Sequence, residues 1–327
     1  NMMFTEQFQQ LSWEEIKSSI YSKTSVDVER ALCATKRTLE DFQALLSPAA
    51  LTYLEEMAKQ SSELTQKRFG KTIQLFAPLY VSNECHNICT YCGFSFDNKL
   101  KRKTLTESEL LQESELLKQQ GFNHILLVSG EANHTVNTNY FLKTIDLLKY
   151  KFSNLSIEVQ PLEANEYEAI QAAGAYSVLV YQETYHQDVY KKYHPKGKKS
   201  NLQKKYWQTK YSVSFPRMRP AEGIIEPNVI VSDRELLQLI CAYRLWNENV
   251  EISISTRESE KFRDHVIRLG ATSMSAGSKT NPGGYAAASD SLKQFEICEE
   301  RCAEEFANVI EQNGYDAVWK DWDMILQ

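Results

Sequence analysis

The sequence predicts an α/β protein in which a parallel, barrel-like (β/α) sheet follows a helical extension. Three observations carry that prediction. From Thr72 onward, short β-type apolar runs alternate with helix-like segments, the pattern of a parallel sheet whose strands are joined by crossover helices. Gly121, Gly174 and Gly270 each close a helix-like segment shortly before an apolar run, at the position where a left-handed residue turns a helix back onto a sheet. Polar side chains recur just after those runs, at the end of the strands where a barrel of this kind builds its active site.

Residues 1–71 read as the helical extension. Ser12 with Glu15 forms a capping box, and Val26, Val28, Ala31 and Leu32, then Leu39, Phe42, Leu45 and Leu46, give short apolar faces at helical spacing. A longer helix is expected over 48–68, stopped by Gly70. The barrel domain then occupies 72–327, with strands expected at 73–82, 124–129, 156–161, 177–182, 211–216, 250–256 and 271–275. A helix is expected over 292–312, and its Cys298 and Cys302 read as buried small apolar side chains, as do Cys33 and Cys241.

The chain contains seven cysteines, an odd number with three clustered, which favours a reducing compartment, the cytoplasm, over a disulfide framework. No apolar run approaches the roughly 18 residues of a membrane span, and Asn1 to Gln10 lack the features of a signal peptide. A net charge of -6 argues against nucleic acid or an anionic membrane as partner. Two basic runs, Lys99 to Lys103 and Lys196 to Lys199, read first as solvated loops; the former is also placed to dock an acidic electron-donor protein.

The clustered cysteines are Cys85, Cys89 and Cys92, spaced C-x3-C-x2-C directly after the first predicted strand. Thiolates favour iron–sulfur clusters, zinc or Cu(I) over hard cations. A closed zinc site wants a fourth protein ligand, and no fourth cysteine is nearby. A cubane cluster held by three cysteines leaves one iron open for a substrate or cofactor.

The other candidates follow successive strands: Ser129, Gly130 and Glu131; then Gln160; then Gln182 and Glu183; then Arg217 and Arg219; then Arg257; and finally Ser275. Taken singly, each has an ordinary reading. Glu131 and Glu183 suit solvated loops, Arg257 suits an ion pair with Glu258 or Glu260, and the stretches from Ser275 to Ser278 and from Asn281 to Gly284 suit turns. Their recurrence at one end of seven strands points instead to a single mouth.

The cysteine spacing, with Tyr91 just before the last cysteine, resembles the signature of the radical S-adenosylmethionine (SAM) enzymes. Six further stretches narrow the resemblance: Leu127 to Glu131, Val159 to Leu162, Val180 to Tyr185 with Tyr193 to Gly197, Ser214 to Pro220, Ile254 to Glu258, and Thr272 to Ser278. Together they resemble the aromatic amino acid lyases of that superfamily, above all the tyrosine lyases of thiamine thiazole biosynthesis. The resemblance implies a TIM-type barrel with a [4Fe–4S] cluster on Cys85, Cys89 and Cys92 and SAM bound at its open iron. It implies reductive cleavage of SAM to methionine and a 5′-deoxyadenosyl radical, hydrogen abstraction from the amino group of L-tyrosine, and Cα–Cβ cleavage to 2-iminoacetate and p-cresol. In residue terms, Ser129, Gly130 and Glu131 receive the SAM amino group, Glu183 the ribose hydroxyls, and the backbone at Tyr91 the adenine. Arg257 clamps the tyrosine carboxylate with Ser275 assisting, because a guanidinium fork matches a carboxylate in two hydrogen bonds. Gln160, Arg217 and Arg219 fall at the mouth without individual roles. The implied partners are thiazole synthase and a flavodoxin or ferredoxin.

One departure stands out. Between Ser200 and Asn201 the family carries another strand, with a Gly-x-x-x-Gly-Leu-Glu type motif, and its helix. This sequence lacks that βα unit, so seven strands are expected instead of eight; because a barrel short of one strand has two unpaired edges, the reading is that the working protein contains a stretch this sequence omits, and a true deletion would lose the SAM contacts of that unit. Within the superfamily, the hydrogenase-maturation tyrosine lyase is disfavoured because no cysteine follows Cys302. A tryptophan lyase shares the cluster and Arg257, and a non-catalytic cluster scaffold is the reading from another functional class.

Overall fold

The structure is a computed structural model, and it describes residues 10–99, 101–181, 183–197, 212–287 and 293–319. Its N-terminal helices are α1 (Trp13–Ser22), α2 (Ser25–Cys33), α3 (Leu39–Leu46) and, after a 3-10 turn at Pro48–Tyr53, α4 (Leu54–Phe69). Their starts follow local chemistry: the Ser12 hydroxyl accepts from the Glu15 N–H, and Thr38 with Asp41 forms a reciprocal capping box. Gly70, at φ +71°, ends α4 where a side chain would be strained. These helices bury Val28, Ala31, Ala44, Leu45 and Met57 against Cys241, Ala242 and Leu245 of α9 (Asp233–Trp246), which fixes the extension to the barrel's outer helix layer.

The expected strands all form: β1 (Thr72–Ser82), β2 (His124–Ser129), β3 (Asn154–Glu158), β4 (Ser177–Leu179), β5 (Ser212–Ser214), β6 (Glu251–Ile254) and β7 (Ser273–Ser275). They are joined in one sheet of order β4-β3-β2-β1-β7-β6-β5, and every pairing is parallel. The crossover helices are α5 (Glu107–Gln119), α6 (Thr138–Leu148), α7 (Ala164–Ala173), α8 (Gln187–Tyr193), α9 and α10 (Glu260–Val266). β1 is the centre of the sheet. Its alternate residues Ile73, Leu75, Ala77, Leu79 and Val81 are wholly buried in the main core with Ile125, Leu127, Ile157, Ile252 and Met274 from neighbouring strands. A parallel strand covered on both faces must be this apolar.

Two features differ from the sequence reading. An eighth strand, β8 (Asp316–Val318), pairs with the first residues of β1; three residues are too few to register as a β-run. The helix expected over 292–312 begins only at Ala303, as α11 (Ala303–Gln312). The ten residues before it spend their N–H groups elsewhere: Gln294 on the Thr280 carbonyl, Glu296 on Pro220, and Cys298 on Thr256, each at 2.9 Å. Cys298 and Cys302 are therefore exposed instead of buried, with Cys302 capping α11, and Cys33 is exposed too; Cys241 alone of the four is buried as expected.

β4 and β5 are the two ends of the strand path and, among the described residues, do not pair with each other. The sheet is thus open where a further βα unit was expected. The Ser200–Asn201 junction itself lies outside the described residues, as does Gln182.

Candidate active site

The three cysteines leave β1 in a loop that is held from several directions. Arg102 does most within the loop itself: its guanidinium donates to the carbonyls of Asn83, Phe94, Ser95 and Asn98 at 2.7, 2.8, 2.6 and 3.2 Å. Each is a charge-assisted bond, so the turns around the cysteines are fixed by one fork-shaped cation. The Ser95 hydroxyl accepts from the Cys89 N–H at 3.1 Å. The run from Lys99 to Lys103 is therefore no simple solvated loop, since Lys103 also pairs with Glu109 at 2.8 Å. The second basic run is engaged as well. Lys196 accepts from the Ile88 N–H at 3.0 Å and forms a β-bridge with it, while Tyr193 accepts from Thr90 at 3.1 Å.

The end of β2 closes on the same loop. The Gly130 N–H donates to the Ser82 carbonyl, and the Glu131 carbonyl accepts from His86 at 2.8 Å. A Cβ at Gly130 would stand 2.2 Å from the Glu84 carbonyl oxygen and 3.0 Å from the Cys85 Cβ, so only glycine lets the two segments meet. Buried Glu131 accepts from the Asn87 amide at 2.6 Å. Ser129 Oγ and Gln160 Oε1, both buried at strand ends, have no hydrogen-bond partner among the described residues, although Gln160 donates to the Val136 carbonyl.

Beyond β4, Glu183 accepts from the Tyr91 hydroxyl at 2.6 Å, and that hydroxyl also lies 2.7 Å from Nε2 of buried His194. His194 Nε2 is 3.4 Å from Glu183, and its Nδ1 is 2.8 Å from the Tyr190 carbonyl, which requires the proton on Nδ1. Burial and the Glu183 charge push the Tyr91 phenol far above its ordinary range, so it stays a donor. Tyr181 is raised likewise, first by burial and then by the charges of Glu131, Cys85 and Glu183, which places it among the candidates of three strands.

On the other half of the sheet, Arg257 lies over Phe295, its guanidinium carbon 3.4 Å from the ring centroid. The ordinary alternative, an ion pair with Glu258 or Glu260, does not form among the described residues. Glu258 is taken by Arg217 and Arg219, and among the described residues Arg257 has no ion-pair partner. Burial lowers the Arg257 pKa, while Tyr80, Cys92 and Glu158 raise it, so this half-buried cation faces the cysteine loop. Ser275 Oγ accepts from the Thr256 N–H at 3.1 Å, next to Arg257, and its carbonyl accepts from fully buried Arg263 at 2.6 Å. Arg217 is spent on Glu258, Asp233 and the Val231 carbonyl. The structure therefore brings Cys85, Tyr91, Gly130, Glu131, Glu183 and Arg257 to the same end of the sheet and ties Arg217 and Arg219 to the Glu258 carboxylate.

Residues 79–204 match the profile of the radical SAM superfamily, and residues 214–316 match that of the biotin and thiamin synthesis associated domain. The chain is 43% identical to 2-iminoacetate synthase of Escherichia coli (strain K12), over 99% of this chain and 97% of that protein. It belongs to the 2-iminoacetate synthase family. The Salmonella typhimurium family member is 42% identical over 98% of this chain and 97% of its own length. The Escherichia coli alignment is 367 positions long against 327 residues here, so at least 40 positions (367 less 327) of that family member face no residue, although both chains are matched almost end to end. The shortfall is therefore internal. Among solved structures, HydG, a maturase of the [FeFe]-hydrogenase, superposes with a TM-score of 0.86 at 27% identity, over 94% of this chain and 80% of its own.

The family's cofactors are a [4Fe–4S] cluster and SAM, and the residues fit both. Among the described residues no three His, Cys, Asp or Glu side chains close on one point as ligands of a single metal ion. A cubane does not need that convergence, since it takes its three thiolates on three different irons; a zinc knuckle does. None of the seven cysteines is in a disulfide. The orphaned hydroxyl of Ser129 and carbonyl oxygen of Gln160 are the buried, unpartnered polar atoms that a polar cofactor at the strand ends would satisfy.

Sequence reasoning missed Arg102, Asn87, Tyr181, His194, Gln294 and Phe295. His194 stood inside a quoted stretch and Arg102 inside a basic run, so both carried a signal that was assigned otherwise. Gln294 and Phe295 carried none.

Proposed function

We propose that the chain cleaves the Cα–Cβ bond of L-tyrosine to 2-iminoacetate and p-cresol, with SAM reductively cleaved to 5′-deoxyadenosine and methionine. The observation that carries this reading is Arg257: a half-buried guanidinium, over an aromatic ring, facing the cysteine loop, and in no ion pair among the described residues, although the Glu158 and Glu258 charges act on it. A buried cation of that kind wants an anion from outside, and an amino acid carboxylate supplies two parallel acceptors.

Cys85, Cys89 and Cys92 would hold the cluster, which together with SAM supplies one electron's worth of reductive cleavage and a 5′-deoxyadenosyl radical. Ser129, Gly130 and Glu131 would receive the SAM amino group beside Cys85, and Glu183 the ribose, its carboxylate oriented by Tyr91 and His194. The Tyr91 backbone would lie along the adenine, and Gln160 would add an acceptor. Arg257, with Ser275 beside it, would hold the tyrosine carboxylate and so present its amino hydrogen to the radical. Misplacing that hydrogen by about 1 Å would cost on the order of a hundredfold in rate. Loss of the hydrogen and cleavage leave a ring fragment that takes up one electron and one proton to depart as p-cresol.

The electron source in this proposal is a flavodoxin or ferredoxin, and the consumer of the unstable imine is thiazole synthase. Residues 1–71 are assigned to the extension and 72–327 to the catalytic barrel, a division that the separate packing of α2 to α4 on α9 supports. Among the described residues no helix is long and apolar enough to cross a membrane, and seven cysteines outside disulfides support a cytoplasmic location.

The test is anaerobic turnover with reconstituted iron and sulfide, SAM, dithionite and either L-tyrosine or L-tryptophan. The proposal expects p-cresol and glyoxylate, the hydrolysis product of the imine, from tyrosine alone. Skatole or indole products from tryptophan, with no p-cresol from tyrosine, would refute it; so would 5′-deoxyadenosine at background level in a cluster-loaded sample.

A further inference from the structure

The segment from Lys293 to Phe295 touches both ends of the chemistry. Its backbone accepts from the Gly93 N–H, at the Gln294 carbonyl, at 2.9 Å. The approach is so close that a Cβ on Gly93 would stand 2.1 Å from the Lys293 carbonyl oxygen. Phe295 is the ring beneath Arg257. Between them, the Gln294 side chain bridges β1 and the cysteine loop: its Oε1 accepts from the Tyr80 hydroxyl at 2.6 Å and its Nε2 lies 3.9 Å from Cys92 Sγ.

The orientation of that amide follows from its neighbours. Burial pushes the Tyr80 phenol well above its ordinary pKa, so Tyr80 keeps a proton to donate. A thiolate on the other side accepts only. The arrangement that satisfies both has the carbonyl toward Tyr80 and the NH2 toward the sulfur. Hydrogen bonds to ligand sulfurs stabilise the more negative state of an iron–sulfur cluster and so raise its reduction potential.

We propose that Gln294 donates an N–H···S hydrogen bond to the Cys92 thiolate, held in place by Tyr80, and thereby sets the reduction potential of the cluster. Gln294 is a positioning and tuning residue and touches no substrate. The inference rests on the cluster reading given above.

The test is a redox titration of the reconstituted full chain without tyrosine, followed by the electron paramagnetic resonance signal of the one-electron-reduced cluster, with dithionite as reductant. Gln294→Leu removes the donor at similar volume, and Gln294→Glu exchanges a single donor group for an acceptor while keeping the Tyr80 contact, which covers a leucine variant that failed to fold. Both are expected to load iron and sulfide as the wild type does, and to be harder to reduce by about tenfold in the equilibrium constant, about 59 mV for one electron. Tyr80→Phe should shift the potential in the same direction by less. Unchanged or raised potentials in both Gln294 variants, with a loaded wild type, would overturn this inference and leave the proposed function standing. A wild type that binds no cluster would overturn both.

Discussion

Replacing Arg257 with lysine tests the carboxylate clamp at its most specific point. The guanidinium carbon lies over the Phe295 ring, 3.4 Å from its centroid. Lysine keeps the charge and loses the stacking and one of two parallel hydrogen bonds. A hydrogen bond to a charged group contributes about 2 kcal/mol, and the cation–π contact about 1 kcal/mol. At 1.36 kcal/mol per tenfold, the loss of about 3 kcal/mol lowers kcat/KM for tyrosine on the order of a hundredfold. Arg257→Ala leaves the incoming carboxylate without a partner, which costs about 3–5 kcal/mol and extends the loss to roughly two hundred- to five thousandfold. The assay follows p-cresol against tyrosine concentration, with iron content and the KM for SAM as controls that should not move. Because Ser129, Glu131 and Glu183 remain, SAM cleavage should continue and become uncoupled from p-cresol. A lysine variant within about threefold of wild type in kcat/KM would refute the clamp.

Gly130→Ala should abolish stable cluster loading, read as iron per chain, because its Cβ would stand 2.2 Å from the Glu84 carbonyl oxygen beside Cys85. Burial alone would raise the Glu299 pKa, but hydrogen bonds from Arg301 and the charges of Arg263 and Arg301 outweigh it and hold the group below the ordinary 4.5. A depressed folded pKa contributes stability that is present above the unfolded value and lost as pH falls through the folded one. Glu299→Gln should therefore cost about 3 kcal/mol in urea unfolding at neutral pH, and the difference should shrink in acid. In the cluster-loaded protein, iodoacetamide should alkylate exposed Cys33, Cys298 and Cys302, while Cys241, whose thiol burial pushes up to about 12, stays unmodified.

The strands were legible because a parallel sheet buried on both faces demands apolar runs such as Ile73 to Val81, and the helix ends because Gly70 and Gly174 do something few other residues can. The cysteine cluster was legible for a different reason: chemistry restricts which side chains can hold an iron–sulfur cluster, so spacing and type carry the signal, whereas Arg257 stood out only through the family resemblance. What escaped notice is held by partners remote in the chain. Gln294 bonds to Tyr80 and Cys92 across some two hundred residues, and nothing local distinguishes it from a helical glutamine. The same distant bonds, from Gln294, Glu296 and Cys298, explain why the predicted helix starts late. Glu258 shows the limit of adjacency: the ordinary alternative paired it with Arg257, yet two arginines about forty residues away take it.

The central claim is that a tyrosine held by Arg257 presents its amino hydrogen to the 5′ carbon of SAM beside the Cys85–Cys92 loop. Amino hydrogens exchange with solvent, so turnover in D2O labels that position and no carbon-bound one. The account predicts 5′-deoxyadenosine carrying one deuterium, formed together with p-cresol and glyoxylate. Unlabelled 5′-deoxyadenosine accompanying p-cresol in D2O, or label transferred from tyrosine deuterated at carbon in H2O, would contradict it.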